Sequence, residues 1–111
     1  MNTAFPIVVS NAAGVEDAGS LTWLAPPSPN PCTSGSIVSF SLASAAPVRL
    51  ELLDTAGRIV RTLTDATLPA GRQSVSWDRR ASNGTRAAAG VYFVRMSTPE
   101  RTLTTRVTVL D

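Results

Sequence analysis

The sequence lacks the residues on which much enzyme chemistry depends. Its 111 residues include no His, no Lys and a single Cys, Cys32, so all ten basic side chains are Arg. Without His the chain has neither the commonest general base nor the commonest metal ligand. Without Lys it cannot form a Schiff base, and one Cys cannot close an intramolecular disulfide. We therefore expect no enzymatic activity, no metal site and no cofactor.

Charge and long apolar runs are also scarce. Charged residues make up 16% of the chain and the net charge is +2, whereas about 25% charged residues is usual. Polarity comes instead from 25 Ser and Thr residues, which suit β-structure better than helix when they alternate with Val-rich runs. No apolar run is long enough to span a membrane. Residues 1–6 lack the basic start of a secretory signal, so we expect no signal peptide here.

The few acidic and basic groups show no clear ligand-binding pattern. The carboxylates are scattered and do not follow calcium-loop spacing; Asp54, Asp65 and Asp78 are predicted to lie beside turns, where Asp caps its own backbone. A pI of about 9.5 raises the question of nucleic-acid binding. However, the arginines are spread over different segments, mostly at predicted outward positions, with Arg79-Arg80 as the only doublet. This distribution indicates a solvated surface rather than a groove that follows phosphates.

The chain divides near residue 20. Residues 1–20 are predicted to be a linker or tether from a preceding domain, in which Ile7 to Ser10 could form an edge strand or the tail of that domain. Residues 21–111 have the length of one domain. Within them, residues 26–31 contain four prolines, which fix an extended stretch with few amide donors. Such a stretch fits only a sheet edge or a crossover.

Alternation of apolar and polar residues predicts about seven strands and no helix. The predicted strands cover 21–24, 37–42, 48–53, 59–63, 73–78, 90–97 and 102–110, each closed by a turn signal. Their apolar faces supply the predicted core residues Phe40, Leu50, Trp77, Tyr92, Val94 and Val107. Ser41, Glu51 and Arg95 are predicted on the opposite, solvated faces. One polar face per strand argues for two antiparallel sheets packed face to face. The expected fold is an all-β, immunoglobulin-like antiparallel β-sandwich.

An ordered series of short motifs runs through these strands. In chain order they are Pro29-Asn30-Pro31, Phe40-Ser41-Leu42, residues 48–54, Gly57-Arg58-Ile59-Val60, Leu68-Pro69-Ala70-Gly71, Ser76-Trp77-Asp78, Asn83-Gly84, Gly90-Val91-Tyr92-Phe93 and a last strand with Arg106. The series resembles the C-terminal sorting domain of cargo secreted by the type IX system. It is similar also to the immunoglobulin-like domain of the flagellar hook-capping protein, and the resemblance covers about residues 25–111.

The resemblance implies a non-catalytic module that targets a larger exported protein, by way of the periplasm, to the cell surface or medium. Its implied partners are the secretion machinery and a sortase-like peptidase, with no nucleic acid and no transmembrane segment. The implied recognition residues are Pro29, Asn30, Pro31, Gly57, Val60, Gly90, Tyr92, Arg106 and Asp111. The implied cleavage region is Ala18, Gly19 and Ser20.

The chain departs from the family pattern at two positions. Arg106 stands where members usually carry Lys, and guanidinium and ammonium groups make different contacts. Cys32 follows Pro-Asn-Pro where an aromatic or small residue is common, and we expect this thiol to be buried as a small apolar group.

Two alternatives to a sorting module stay open. One is a structural or assembly domain of the hook-cap type. The other is a carbohydrate-binding accessory module of a secreted hydrolase. The latter needs two or more exposed rings on one sheet, and only Trp23 is predicted to be free.

Overall fold

Seven strands form the regular structure of residues 21–111, the part of the chain that the computed structural model describes. They are β1 (Trp23–Leu24), β2 (Ser36–Leu42), β3 (Ala46–Leu53), β4 (Ile59–Leu68), β5 (Gly71–Trp77), β6 (Gly90–Ser97) and β7 (Thr102–Val109). No helix occurs in this region, and hence none that could cross a membrane. The predicted all-β fold is confirmed.

The strands form two antiparallel sheets, one in the order β1-β2-β5 and the other in the order β4-β3-β6-β7. In the constant-type immunoglobulin arrangement the fourth strand joins the sheet of the first, second and fifth. Here β4 stays beside β3 because the five-residue connection at 54–58 returns the chain directly as a hairpin. The register between β3 and β4 shifts twice, after Leu50 and after Leu52, and such bulges bend and twist a strand.

The core lies between the two sheets. The six predicted core residues are all buried there, and Cys32, Val38, Leu42, Leu52, Met96 and Val109 join them. The rings of Trp77 and Tyr92 meet edge to face with their centroids 5.9 Å apart, an arrangement that aromatic pairs favour. Cys32 is buried, as expected.

Two residues predicted to face solvent are buried, so those predictions were wrong. Ser41 lies on the outer face of β2, between Trp23 of β1 and Arg72 of β5. Glu51 lies on the outer face of β3 and is 3% exposed. It accepts a hydrogen bond of 2.8 Å from Arg95, its cross-strand neighbour on β6. Arg95 is therefore only half-exposed, because its guanidinium covers this carboxylate.

The predicted placement of Asp65 was also wrong. β4 runs to Leu68 rather than ending at Leu63, so Asp65 lies inside a strand and not beside a turn. There it faces Arg49 across the β3–β4 pair, with the charged atoms 3.6 Å apart. Asp54 and Asp78 do lie beside turns and accept backbone N–H groups, as expected.

Candidate functional site

A short extended segment lies along the free edge of β7. This segment, Pro29 to Cys32, is called the strap below. At its end Cys32 pairs in parallel with Val109. The Cys32 N–H donates to the Thr108 carbonyl at 2.9 Å, and the Leu110 N–H donates to the Cys32 carbonyl at 2.8 Å. The strap thus acts as a one-residue parallel strand beside the end of β7.

Asn30 completes this pairing with its side chain. Its Nδ2 donates to the Arg106 carbonyl and its Oδ1 accepts the Thr108 N–H, each at 2.9 Å. The carboxamide offers one donor and one acceptor, as a peptide unit does. Pro29 and Pro31 have no N–H to offer, so the Asn30 side chain supplies a hydrogen bond that the flanking backbone cannot.

A buried arginine holds the residues that follow β7. Arg79 is 1% exposed and follows β5 with φ at +64°, in the left-handed region. A non-glycine residue there is uncommon. The Arg79 guanidinium also donates hydrogen bonds to four acceptors.

The Arg79 guanidinium joins three separate parts of the chain. Its Nε donates to the Ala87 carbonyl at 3.0 Å, and one terminal nitrogen donates to the carbonyls of Thr33 at 2.6 Å and Leu110 at 2.8 Å. The other terminal nitrogen is 3.1 Å from Oδ1 of Asp111. One side chain therefore holds together the residue that follows the strap, the β5–β6 connection and the residues after β7.

Arg79 is an exception to the prediction that the arginines lie mostly at outward positions. Its burial could not be seen in the sequence because its partners come from distant segments and show no periodicity. The remaining arginines do not line one groove. Arg49, Arg58, Arg61 and Arg95 pair with carboxylates of this chain.

Gly90 and Tyr92 lie on the inner neighbour of β7. Gly90 is the cross-strand partner of Val109, and Tyr92 is that of Val107. The Tyr92 hydroxyl donates to the Ala88 carbonyl at 2.6 Å, which satisfies the polar end of a buried ring.

Seven of the nine residues implied in recognition surround the second half of β7. They are Pro29, Asn30, Pro31, Gly90, Tyr92, Arg106 and Asp111. Gly57 and Val60 do not join them, because they belong to the β3–β4 hairpin at the far side of the four-stranded sheet. Ala18, Gly19 and Ser20, the implied cleavage region, lie outside the described residues.

The part-exposed aromatic rings do not form a strip on either sheet of residues 21–111. Trp23 lies on the outer face of the three-stranded sheet and Phe93 on the outer face of the four-stranded sheet. The arrangement required by the carbohydrate-binding alternative is thus not formed by these residues. In the same region no group of three Cys, Asp or Glu side chains is close enough to hold a metal ion.

This architecture defines an immunoglobulin-like β-sandwich whose last strand is held along its edge by a strap and at its end by a buried arginine. The chain belongs to the FlgD Ig-like domain family, whose family model matches residues 30–101. The match begins at Asn30 and ends in the turn before β7.

Two solved structures from Porphyromonas gingivalis share the fold. One is PorZ, described as an essential bacterial surface component of the type IX secretion system, with a TM-score of 0.56 and 23% identity over 90% of this chain. The other is dimeric latent PorU, with a TM-score of 0.62 and 19% identity over 80% of this chain. The matched parts are 13% of the PorZ chain and 9% of the PorU chain. No curated protein matches the chain.

Proposed function

We propose that residues 21–111 are a non-catalytic sorting module that directs a larger exported protein through the type IX system to the cell surface or medium. One observation carries the proposal. The motif residues that resemble a type IX sorting signal converge, with two exceptions, on a single strand.

The fold comparison supports this proposal in a general way. PorZ is described as a type IX component, and its structure contains a domain of this fold. At 23% identity the likeness concerns the fold alone, so the proposal depends on the residues around β7.

In this proposal the module is recognised by its shape and surface. Its partners are the secretion machinery, which binds the β7 region, and a sortase-like peptidase, which cuts in the region of Ala18, Gly19 and Ser20. The absence of His and Lys fits a role in binding. The passenger protein would reach the surface or medium by way of the periplasm.

The test is an export assay with the full chain. A periplasmic reporter carrying a signal peptide is joined to residues 1–111 and expressed in a type IX-competent strain and in a matched strain without the translocon. We expect the reporter outside the cell only in the competent strain. Retention in the periplasm of both strains would overturn the proposal.

A matched pair of variants tests whether β7 is the recognised element. Arg106 and Arg101 are both exposed, but Arg106 lies on β7 and Arg101 in the turn before it. We expect Arg106→Glu to reduce export and Arg101→Glu to leave it unchanged. Equal export of the two variants would show that the secretion machinery does not recognise the face of β7 that carries Arg106.

A second candidate is an assembly domain of the hook-cap type, favoured by the family match over residues 30–101. It is tested by replacing the immunoglobulin-like domain of a hook-capping protein with residues 21–111. Restored hook assembly would support this function, and loss of assembly with a stable hybrid protein would exclude it.

A further inference from the structure

The strap provides fewer hydrogen bonds than the edge of β7 can accept. It makes four, of which two come from the Asn30 side chain and two from the Cys32 backbone. Alternate residues of a strand turn their N–H and C=O groups to the same side. Thr108 turns its N–H and C=O groups toward the strap. Thr104, four residues earlier, therefore turns its own N–H and C=O groups to the same outer edge of β7. Within residues 21–111 no backbone hydrogen bond joins this edge of Thr104 to another segment.

The strap cannot be extended to use these remaining groups. Pro29 and Pro31 lack N–H groups, and Pro26 and Pro27 precede them. A continuous strand without proline could replace all four bonds and also pair with Thr104. Such exchange leaves the pairing of residues 103, 105, 107 and 109 with β6 intact. It breaks the bond from the Ser36 hydroxyl to the Pro29 carbonyl and removes Cys32 from the core.

We propose that the outer edge of β7 is the docking edge for an extended segment of the secretion machinery, and that the strap covers this edge until that segment displaces it. The inference rests on the proposed sorting function and adds the mode of recognition. The incoming segment pairs in parallel with β7, because the strap already shows that parallel main-chain groups fit this edge. Addition of a strand to a sheet edge is a general mode of peptide recognition.

The core beneath the strap defines one side chain of the incoming segment. The Cys32 side chain is 2% exposed and belongs to the core cluster. Displacement of the strap would leave this position empty, and an unfilled core position is destabilising. The incoming segment must therefore carry a small apolar residue at the position of Cys32.

A reversible cross-link tests the displacement. Cys32 and Val109 are directly paired neighbours, and adjacent strands are close enough for a disulfide. The Val109→Cys variant should form a disulfide with Cys32 in the oxidising periplasm and lock the strap. Its control carries a disulfide between positions 39 and 74, a directly paired couple on β2 and β5, introduced as Ser39→Cys and Ser74→Cys with Cys32 retained.

The expected result is loss of export for the locked variant and normal export for the control. Val109→Ala, which keeps Cys32 but cannot form the link, should be exported normally. A cooperative thermal transition of the purified locked protein shows that it is folded. Export of a folded, fully cross-linked protein at the control level would overturn displacement and leave the sorting function standing. If the unmodified fusion is not exported, both proposals fail.

The single thiol offers a second measurement that needs no export. Asn30→Ala removes two of the four strap bonds, so the rate at which a maleimide labels Cys32 in the purified protein should rise on the order of ten-fold. Asn83→Ala, which alters a turn away from the strap, is the matched control and should not change this rate. Equal labelling rates in the two variants would show that Asn30 does not control opening of the strap and would overturn its covering role.

Discussion

At the scale of single residues, Arg79 shows how a buried charge is accommodated. Removing a guanidinium from water is costly unless its donors are satisfied. Arg79 makes hydrogen bonds to three backbone carbonyls and one carboxylate. Arg80, the next residue, is exposed, and its guanidinium bonds only locally to the Gly84 carbonyl. The only Arg-Arg pair in the chain therefore combines one structural and one surface residue.

This contrast gives a stability prediction. Arg79→Leu removes the donor of the Ala87 and Leu110 carbonyls, whereas the Thr33 carbonyl still accepts from Arg86 at 3.3 Å. Ala87 is the buried residue of the three, and an unsatisfied buried acceptor costs about 1–3 kcal/mol. We expect the variant to lose about 1–3 kcal/mol of unfolding free energy in urea titrations. Arg80→Leu should change it by less than about 1 kcal/mol. Similar stabilities for the two variants would contradict the assigned role of Arg79.

The pKa of the Asp54 carboxyl is lowered by the groups that surround it. The Arg58 backbone N–H is the main cause that lowers the pKa of this carboxyl below its usual 3.8, with smaller contributions from the Arg58 guanidinium and the Ala56 N–H. Because the folded pKa is lowered, the stabilisation is complete above the unfolded pKa. It is lost as the pH falls through the folded pKa.

We expect an NMR titration to place the Asp54 midpoint below 3.8. Arg58→Ala should raise it only in part, because the backbone N–H of residue 58 remains. A complete return to the usual value in this variant would show that the guanidinium, and not the backbone, is the main cause.

At the scale of elements, the entry into β2 depends on close packing. Gly35 connects the segment after the strap to β2 with φ at +140°, and a Cβ placed there would lie 2.3 Å from the Trp77 carbonyl oxygen. Gly57 also has a positive φ, +85°, but a Cβ there would meet nothing within 4 Å. The backbone conformation favours glycine at both positions. Only at Gly35 does a neighbouring atom also leave no room for a Cβ.

The two glycines therefore make a matched pair. Gly57→Ala should cost about 1–2 kcal/mol, the usual cost of a left-handed backbone for a residue with a Cβ. Gly35→Ala should cost clearly more, because the backbone of Trp77 must also move. Thermal unfolding of both variants measures the difference, and equal melting temperatures would contradict the close contact at Gly35.

The sequence predicts the strands well because burial on one face leaves a period of two. The prediction of solvent exposure fails at Glu51 and Ser41. The alternating pattern predicts that every side chain on the outer face of a sheet is in water, and it contains no information on side chains that cover that face. Arg95 and Trp23 cover these positions from neighbouring strands. The role of Asn30 had a usable signal, since an Asn between two prolines has a side chain that can replace missing peptide groups. Arg79 had none, because its partners at 33, 87 and 110 meet only in the folded chain.

At the scale of the whole molecule, the two sheets are joined by aromatic packing at one end of the core. Trp77 of β5 contacts Tyr92 of β6 across the interface, and its Nε1 donates to the Arg80 carbonyl at 3.0 Å. Trp23, the second tryptophan, lies on an outer face and is half-buried. The two tryptophans therefore differ in their expected contribution to stability.

We expect Trp77→Ala to destabilise the fold by about 3–5 kcal/mol, since it opens a large cavity between the sheets. Trp23→Ala should cost clearly less, because its ring is partly in solvent and lies outside the core. Chemical unfolding monitored by circular dichroism measures both. A small effect of Trp77→Ala would contradict its placement between the sheets.

The bonds of Arg79 also bear on how the domain is made. A ribosome delivers Thr33 early, Ala87 much later and Leu110 later still, so the guanidinium cannot complete its bonds until β7 has emerged. Before that moment the edge of β6 is open and the strap has no strand to cover. Folding of this region is therefore completed only after synthesis has passed β7.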